Sequence, residues 1–181
     1  MTYPNKILRI KIKPIVKVSD EIQAKANELA KTLAECSNGV GLAAPQIGIT
    51  ERMFAIKRGG KVEVLMNPEV AKTWGEKEFP VIADPRPAAA KAMAGKEEEF
   101  LEGCLSFPNL FGTVKRYLKI EARWMDGGRI LEGFEAIVFQ HELDHLNGIL
   151  VIDRIKESKG RIYRMQGENK VELELQSFVE Q

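Results

Sequence analysis

The histidines are the most constraining feature of this 181-residue chain, because there are only two and they lie four positions apart, at His141 and His145. They belong to the segment QHELDHLNG, which an apolar run precedes and the pair Asn147-Gly148 ends. This pattern predicts a helix over about 134–146 that stops at the Asn-Gly pair. Residues four apart share one face of a helix, so both imidazoles can reach a single metal ion.

Glu142 follows the first histidine and completes an HExxH pattern. In such a pattern the glutamate is not a ligand, and its carboxylate can accept a proton from water beside the ion. The histidine face continues backwards through Val138, Ile137 and Phe134, so it is expected to point into the protein. A purely structural histidine pair is the alternative, and it is disfavoured because the complete pattern lies on an apolar face.

A third metal ligand must come from elsewhere, because a catalytic zinc-type site uses three protein ligands and an open position. The chain has no third histidine, which excludes the metzincin pattern. Cys104, in the segment EGCLSFP, is one candidate, since a divalent ion would deprotonate its thiol and bind it. A downstream carboxylate is the other, and the candidates are Asp153, Glu157, Glu168, Glu172 and Glu174.

The composition is that of an ordinary globular protein, with 44% hydrophobic and 29% charged residues and a net charge of +1. A single domain over 1–181 is therefore expected. The near-zero charge disfavours a dedicated nucleic-acid binder. No apolar run is long enough to span a bilayer, the N-terminus does not resemble a secretory signal, and two cysteines do not form a disulfide framework. The expected compartment is the cytoplasm.

Helical and extended patterns are mixed along the chain, which favours an α+β fold. An amphipathic helix is predicted from Ser19 or Asp20 to Cys36. Extended segments are predicted at 8–17, 53–57, 61–68 and 171–178, with a hairpin around Asp126-Gly127-Gly128. Residues 72–100 are rich in proline, alanine and charge, and they are interpreted as an insertion or loop with a short helix at 87–93.

Three segments, GVGLAAPQIG at 39–48, EGCLSFP at 102–108 and QHELDHLNG at 140–148, resemble in this order the signature segments of peptide deformylases. The resemblance covers nearly the whole chain from the first helix to Asp153, and also includes MNPE and GTVKR. It implies a peptide-deformylase-like fold, with antiparallel or mixed sheets around a central HExxH helix and a second, N-terminal helix. The family typically has a short connection where this chain has residues 72–100, which makes that segment an unusual insertion.

The resemblance also implies a role for individual residues. Cys104, His141 and His145 match the metal ligands, and Glu142 matches the general base and acid. Gln46 matches a glutamine whose amide stabilises an oxyanion together with the backbone N–H of Leu105. The residues that match substrate-binding positions are Gly39, Val40, Gly41, Ile137 and Val138. Arg116 matches a basic position, and an ion pair with Asp144 is one hypothesis for it.

The implied activity is removal of the N-terminal formyl group from formyl-methionyl nascent polypeptides, with release of formate. The implied cofactor is one divalent ion, Fe²⁺ physiologically, in a ligand set that also suits Zn²⁺, Ni²⁺ or Co²⁺. N-formylmethionyl peptides and the ribosome are the expected partners, and neither DNA nor a membrane is. Two alternatives are an HExxH zinc endopeptidase with a downstream carboxylate ligand, and a non-catalytic binding module.

Overall fold

The computed structural model describes residues 1–81, 100–167 and 169–174, and these form an α+β fold. The helices are α1 (Asp20–Glu35), α2 (Gly133–Leu146) and α3 (Val151–Ser158), with 3₁₀ turns at Lys6–Arg9 and Ala44–Ile47. The strands are β1 (Gly41–Ala43), β2 (Met53–Arg58), β3 (Lys61–Met66), β4 (Glu69–Trp74), β5 (Leu101–Cys104), β6 (Phe107–Thr113), β7 (Lys119–Trp124), β8 (Gly127–Glu132), β9 (Ile162–Gln166) and β10 (Asn169–Leu173).

The strands form three antiparallel sheets, in the orders β1-β2-β3, β10-β9-β6-β5 and β4-β7-β8. Helix α2 lies at the centre and packs against strands of the first and third sheets. Nine of its fourteen residues are buried, including both histidines and Glu142. A helix surrounded in this way presents rigidly positioned side chains to its neighbours, as a functional site requires.

The other two helices cover the outer sheets. Helix α1 buries Leu29 and Leu33 against the β1-β2-β3 sheet, and α3 buries Ile155 against β5 and β6. Ser19 caps α1 by accepting a hydrogen bond from the backbone N–H of Ile22, as its position predicted. In the described residues, none of the helices is both long and apolar enough to cross a bilayer.

The predicted ends of the HExxH helix are also confirmed. Helix α2 stops at Leu146, and Gly148 beyond it adopts a φ of +71°. A Cβ at Gly148 would lie 2.5 Å from the carbonyl oxygen of Arg9, so glycine is needed both for the backbone conformation and for this close approach.

Two expectations about local structure were wrong, and one helix was not predicted. Residues 8–17 are not a strand: a 3₁₀ turn covers Lys6–Arg9, and beyond it Lys13 makes an isolated bridge to Glu51. Residues 72–74 belong to β4, because pairing with β7 outweighs their weak local pattern. Helix α3 was missed, since its eight residues are too few to show a clear helical period.

The described residues stop at 81 and resume at 100, and the residues on the two sides of this gap contact each other. The backbone N–H of Phe100 donates a 2.6 Å hydrogen bond to the carbonyl oxygen of Pro80. Just before this point, Glu78 and Arg116 exchange two backbone hydrogen bonds of 3.1 and 2.9 Å. We call these contacts the neck. The helix predicted at 87–93 lies outside the described residues.

Candidate active site

Cys104, His141 and His145 meet at the centre of the molecule. Their ligand atoms all lie within 4.8 Å of one another, and Cys104 Sγ is 3.2 Å from His145 Nε2. Cys104 ends strand β5, where a two-residue turn leads into β6, while the histidines project from one face of α2. A thiolate and two imidazoles at this separation suit a transition-metal ion with tetrahedral preference.

The charge state of Cys104 also suits a metal ligand. Burial alone would raise the pKa of its thiol, but the neighbouring His145 and His141 hold the pKa well below its ordinary value. The thiolate is the form that binds metal. The residues present therefore fit a divalent ion.

The downstream carboxylates that lie in the described residues are not brought to this cluster. Asp153 pairs with Arg9 and accepts a hydrogen bond from the backbone N–H of Leu150, while Glu157 pairs with Arg154. Glu172 and Glu174 are exposed at the far edge of the β10-β9-β6-β5 sheet, and Glu168 lies outside the described residues. Among the described residues, Cys104 is the third member of the ligand cluster.

Glu142 is buried beside the ligands with only 4% of its surface exposed. Its Oε2 has no hydrogen-bond partner in the described part of the chain, and burial raises the pKa of the carboxyl to about 7. A Cβ at Gly41 would lie 2.7 Å from Glu142 Cδ, so a side chain there would displace the carboxylate. A buried carboxyl that changes protonation near neutral pH can both accept and donate a proton.

Gln46 is held with its amide nitrogen towards Cys104. Its Oε1 accepts a 2.7 Å hydrogen bond from the backbone N–H of Ala43, which fixes the orientation of the amide. Its Nε2 donates to Ser106 Oγ at 3.1 Å and lies 3.8 Å from Cys104 Sγ. Leu105 lies in the tight turn between Cys104 and Ser106, next to this amide group.

A network of charged side chains is hydrogen-bonded to the ligand His141. Glu102 Oε2 lies 2.9 Å from Nδ1 of His141, and Arg116 binds both oxygens of Glu102 at 2.7 and 2.9 Å. Arg116 also donates to Asp144 at 2.6 Å, which confirms the predicted ion pair. Arg154 completes the chain on the other side of Asp144.

This network fixes the charge of Glu102. Burial alone would raise the pKa of the carboxyl, but the Arg116 charge and hydrogen bonds, with His141, lower it to about 2. Sequence reasoning did not assign Glu102 a role. Its position two residues before Cys104 was the available signal, since alternate residues of a strand share one face.

Two of the three ligands, Cys104 and His141, line a cavity of about 350 Å³ between β1, the β5–β6 hairpin and one face of α2. Gln46, Cys104, Leu105, His141 and Glu142 all line it. The cavity lining also includes the residues predicted to bind substrate, namely Gly39, Val40, Gly41, Ile137 and Val138. The structure thus brings together residues from three separate segments of the sequence.

Comparison with known proteins agrees with this geometry. The polypeptide deformylase family model matches residues 1–161. A peptide deformylase of Thermotoga petrophila is 36% identical over 163 residues, which cover 87% of each protein. Peptide deformylase 2 of Clostridium acetobutylicum is 36% identical over 158 residues, which cover 84% of this chain and 91% of the relative.

Solved structures give the same result. The crystal structure of peptide deformylase from Thermotoga maritima has a TM-score of 0.69 and 33% identity, and the match covers 84% of this chain and 93% of that one. A peptide deformylase structure from Legionella pneumophila has a TM-score of 0.68 and 32% identity, with coverage of 85% and 83%. With a family model that matches most of its length and relatives above 30% identity, the chain belongs to the polypeptide deformylase family.

Proposed function

We propose that Cys104, His141 and His145 hold the metal ion of a deformylase and that Glu142 and Gln46 act directly on the substrate. Members of this family remove the N-terminal formyl group from polypeptides, and this chain is a metal-dependent hydrolase of that class. The observation that carries the assignment of residues is the convergence of the three ligand atoms within 4.8 Å beside the buried carboxyl of Glu142, whose Oε2 has no hydrogen-bond partner among the described residues. We also propose that 1–181 forms one catalytic domain.

The metal that we propose for the cell is Fe²⁺, with Zn²⁺, Ni²⁺ and Co²⁺ as ions that can occupy the same ligands. One thiolate and two imidazoles suit all four ions, and the preference for iron rests on the family resemblance. When bound, the ion would act as a Lewis acid that polarises the formyl carbonyl and lowers the pKa of water.

Glu142 is proposed to move the proton. Its carboxylate takes a proton from the attacking water and passes it to the amine nitrogen as the C–N bond of the formamide breaks. Both transfers are favoured by a carboxyl whose pKa lies near 7, because the proton is then gained and lost at little cost. No histidine remains for proton transfer, since both histidines are assigned to the metal.

Gln46 and the backbone N–H of Leu105 are proposed to stabilise the negative charge on the formyl oxygen. Charge develops on that oxygen when the carbonyl becomes tetrahedral, and fixed donors stabilise it without reorganisation. The hydrogen bonds from Ala43 and to Ser106 hold the Gln46 amide in one orientation before the substrate arrives. The loss of one such donor typically costs a factor of about 100 to 1,000 in kcat.

The substrate that we propose is an extended N-formylmethionyl peptide. Gly39, Val40 and Gly41 lie at the edge of the first sheet, where a peptide can add as a further strand. Ile137 and Val138 are proposed to contact the methionine side chain. Since formylated peptides are nascent chains, we also propose action in the cytoplasm close to the ribosome.

Formate release from formyl-Met-Ala-Ser tests this function directly. The protein is purified without oxygen, and its metal content is measured on the same sample. We expect about one Fe²⁺ per chain after iron loading, metal-dependent release of formate, and loss of release with retained metal in Glu142→Gln. Absence of formate release from the loaded protein, or full activity of Glu142→Gln, would overturn the assignment. Glu121→Gln, on strand β7 away from the cavity, is the matched control and should remain active.

A further inference from the structure

Residues 1–19 carry a concentration of positive charge that the active site does not use. They contain five of the 27 basic residues of the chain and none of its 26 acidic ones. Since the whole chain has a net charge of +1, the remaining residues carry a net charge of −4. All five basic side chains of residues 1–19 are exposed.

Four of the five have no ionic partner in the part of the chain that the structure describes. Arg9 is the exception, because it pairs with Asp153. The four unpaired residues, which we call the basic strip, are Lys6, Lys11, Lys13 and Lys17. Their charges are therefore available to a partner that carries negative charge.

The backbone that carries the strip is fixed to the rest of the protein. Ile12 is buried, and its N–H donates a 2.9 Å hydrogen bond to the carbonyl oxygen of Leu146 at the end of α2. Ile15 is also buried, and the side chain of Asn67 makes hydrogen bonds of 2.8 Å with both its N–H and its carbonyl group. Binding therefore has only the lysine side chains to order, which lowers its entropic cost.

Acidic residues border the strip and confine its positive charge to a narrow line. Asp153 lies beside its first half through the ion pair with Arg9. Glu51 lies beside Lys13, with which it forms an isolated β-bridge. Two further acidic residues begin α1, directly after the strip. A partner that follows the line avoids these carboxylates, whereas a partner that covers the whole face meets them.

We propose that the basic strip binds single-stranded RNA through its phosphate backbone. An RNA strand carries one negative charge on each nucleotide, and every lysine that neutralises a phosphate releases bound counterions. A lysine ammonium binds phosphate as a point charge, so no planar alignment is required. A membrane surface presents its charge over a plane, where the bordering carboxylates would oppose binding. The proposal is independent of the proposed catalytic function.

The strip lies away from the residues that line the cavity. On α2 these residues run from Phe134 to Glu142, whereas the backbone of the strip is attached beyond them, at Leu146. Along the helix axis, Phe134 and Leu146 are about 18 Å apart. We therefore expect RNA and a peptide substrate to bind at the same time.

The test measures the fluorescence anisotropy of a labelled oligouridylate with the metal-loaded, unmodified protein. Four lysines that each neutralise one phosphate predict a slope of about −3 for the logarithm of affinity against the logarithm of salt concentration. Binding should then weaken roughly 50-fold between about 50 and 200 mM salt. Absence of binding at the lower salt concentration, or an affinity that does not depend on salt, overturns the proposal.

Double variants assign the binding to the strip. Lys11→Gln with Lys13→Gln should make the slope shallower by about 1.4, and Lys6→Gln with Lys17→Gln should do the same independently. Lys31→Gln with Lys61→Gln is the matched control, because it removes two exposed lysines elsewhere and changes the net charge equally. This control should keep the slope of the unmodified protein. Equal slopes in the control and in both strip variants overturn the assignment.

Vesicles that contain phosphatidylserine test the alternative of a membrane. They are included because three exposed aliphatic residues, Ile10, Val16 and Val18, lie between or beside the lysines. Binding to these vesicles without binding to RNA overturns the proposal. So does a rise in KM for formyl-Met-Ala-Ser at saturating RNA, which would place the RNA in the cavity.

Failure of this inference is distinct from failure of the proposed function. RNA binding is measured without turnover, so a protein that binds RNA and releases no formate contradicts only the proposed function. A protein that releases formate and binds no RNA contradicts only the role of the basic strip.

Discussion

Nδ1 of His141 lies 2.9 Å from a carboxylate oxygen of Glu102, whereas Nδ1 of His145 has no hydrogen-bond partner in the described residues. The two histidines are thus supported differently. With Glu102 ionised, Nδ1 of His141 donates the hydrogen bond and Nε2 carries the lone pair that faces the ligand cluster.

Glu102→Gln is therefore expected to weaken metal binding. The neutral amide keeps the shape of the side chain but no longer raises the basicity of His141. Loss of such a partner typically lowers metal affinity by about 10- to 100-fold. Competition with a chelator followed by metal analysis measures the affinity. Glu35→Gln, on the exposed end of α1, is the control, and an equal affinity in the two variants would contradict the prediction.

Arg116→Ala is expected to destabilise the fold strongly, because it leaves two buried carboxylates, Glu102 and Asp144, without their shared partner. Breaking a buried ion pair on one side typically costs about 3–5 kcal/mol. Urea unfolding of the chelated protein measures this cost without a contribution from the metal. Arg123→Ala removes an exposed arginine that pairs with Glu121, and it should change stability little. Equal urea midpoints for Arg116→Ala and Arg123→Ala would refute the prediction.

Ser106→Ala is expected to lower kcat more than it changes KM. Ser106 Oγ occupies one hydrogen of the Gln46 amide and so directs the other towards Cys104. Without the Ser106 hydroxyl the Gln46 amide can rotate. The fall in kcat should be smaller than in Gln46→Ala, which removes the donor altogether. Ser158→Ala deletes a comparable hydroxyl that accepts from the backbone of Lys115, and it should leave kcat unchanged. Steady-state formate release distinguishes these outcomes.

Asp144 should make the chelated protein sensitive to acid. Burial alone would raise the pKa of its carboxyl, but Arg154 and Arg116 lower it below the ordinary value of 3.8. A lowered folded-state pKa contributes stability that is complete above the unfolded-state pKa of about 3.9 and is lost as pH falls through the folded-state value. Asp144→Asn should therefore be less stable than the unmodified chain at pH 7, with the difference narrowing below about pH 4. A difference independent of pH would be evidence against this linkage.

The sequence predicted the parts of the site that depend on short-range spacing. Both histidines and Glu142 lie within five residues of one helix, so a helical period was enough to place them together. The ends of α1 and α2 followed from Ser19 and from Asn147-Gly148. Cys104 and Gln46 were matched through the family resemblance, because no local rule brings distant segments into contact.

Contacts between distant segments could not be predicted in the same way. The link from His141 through Glu102 to Arg116 joins three elements and depends on how β5 packs against α2. Strand β4 was not predicted, because pairing with β7, some fifty residues later, stabilises it. The division of the ten strands in the described residues into three sheets likewise depends on register between distant partners, which local patterns do not specify.

The neck allows the geometry of the site to be independent of the length of the segment between Pro80 and Phe100. Since Pro80 and Phe100 are hydrogen-bonded, the chain returns to the place where it left, four residues before Cys104. We therefore expect that segments of different length can be exchanged at this point while the ligands stay where they are, which makes it the natural position for grafting new sequence onto this enzyme.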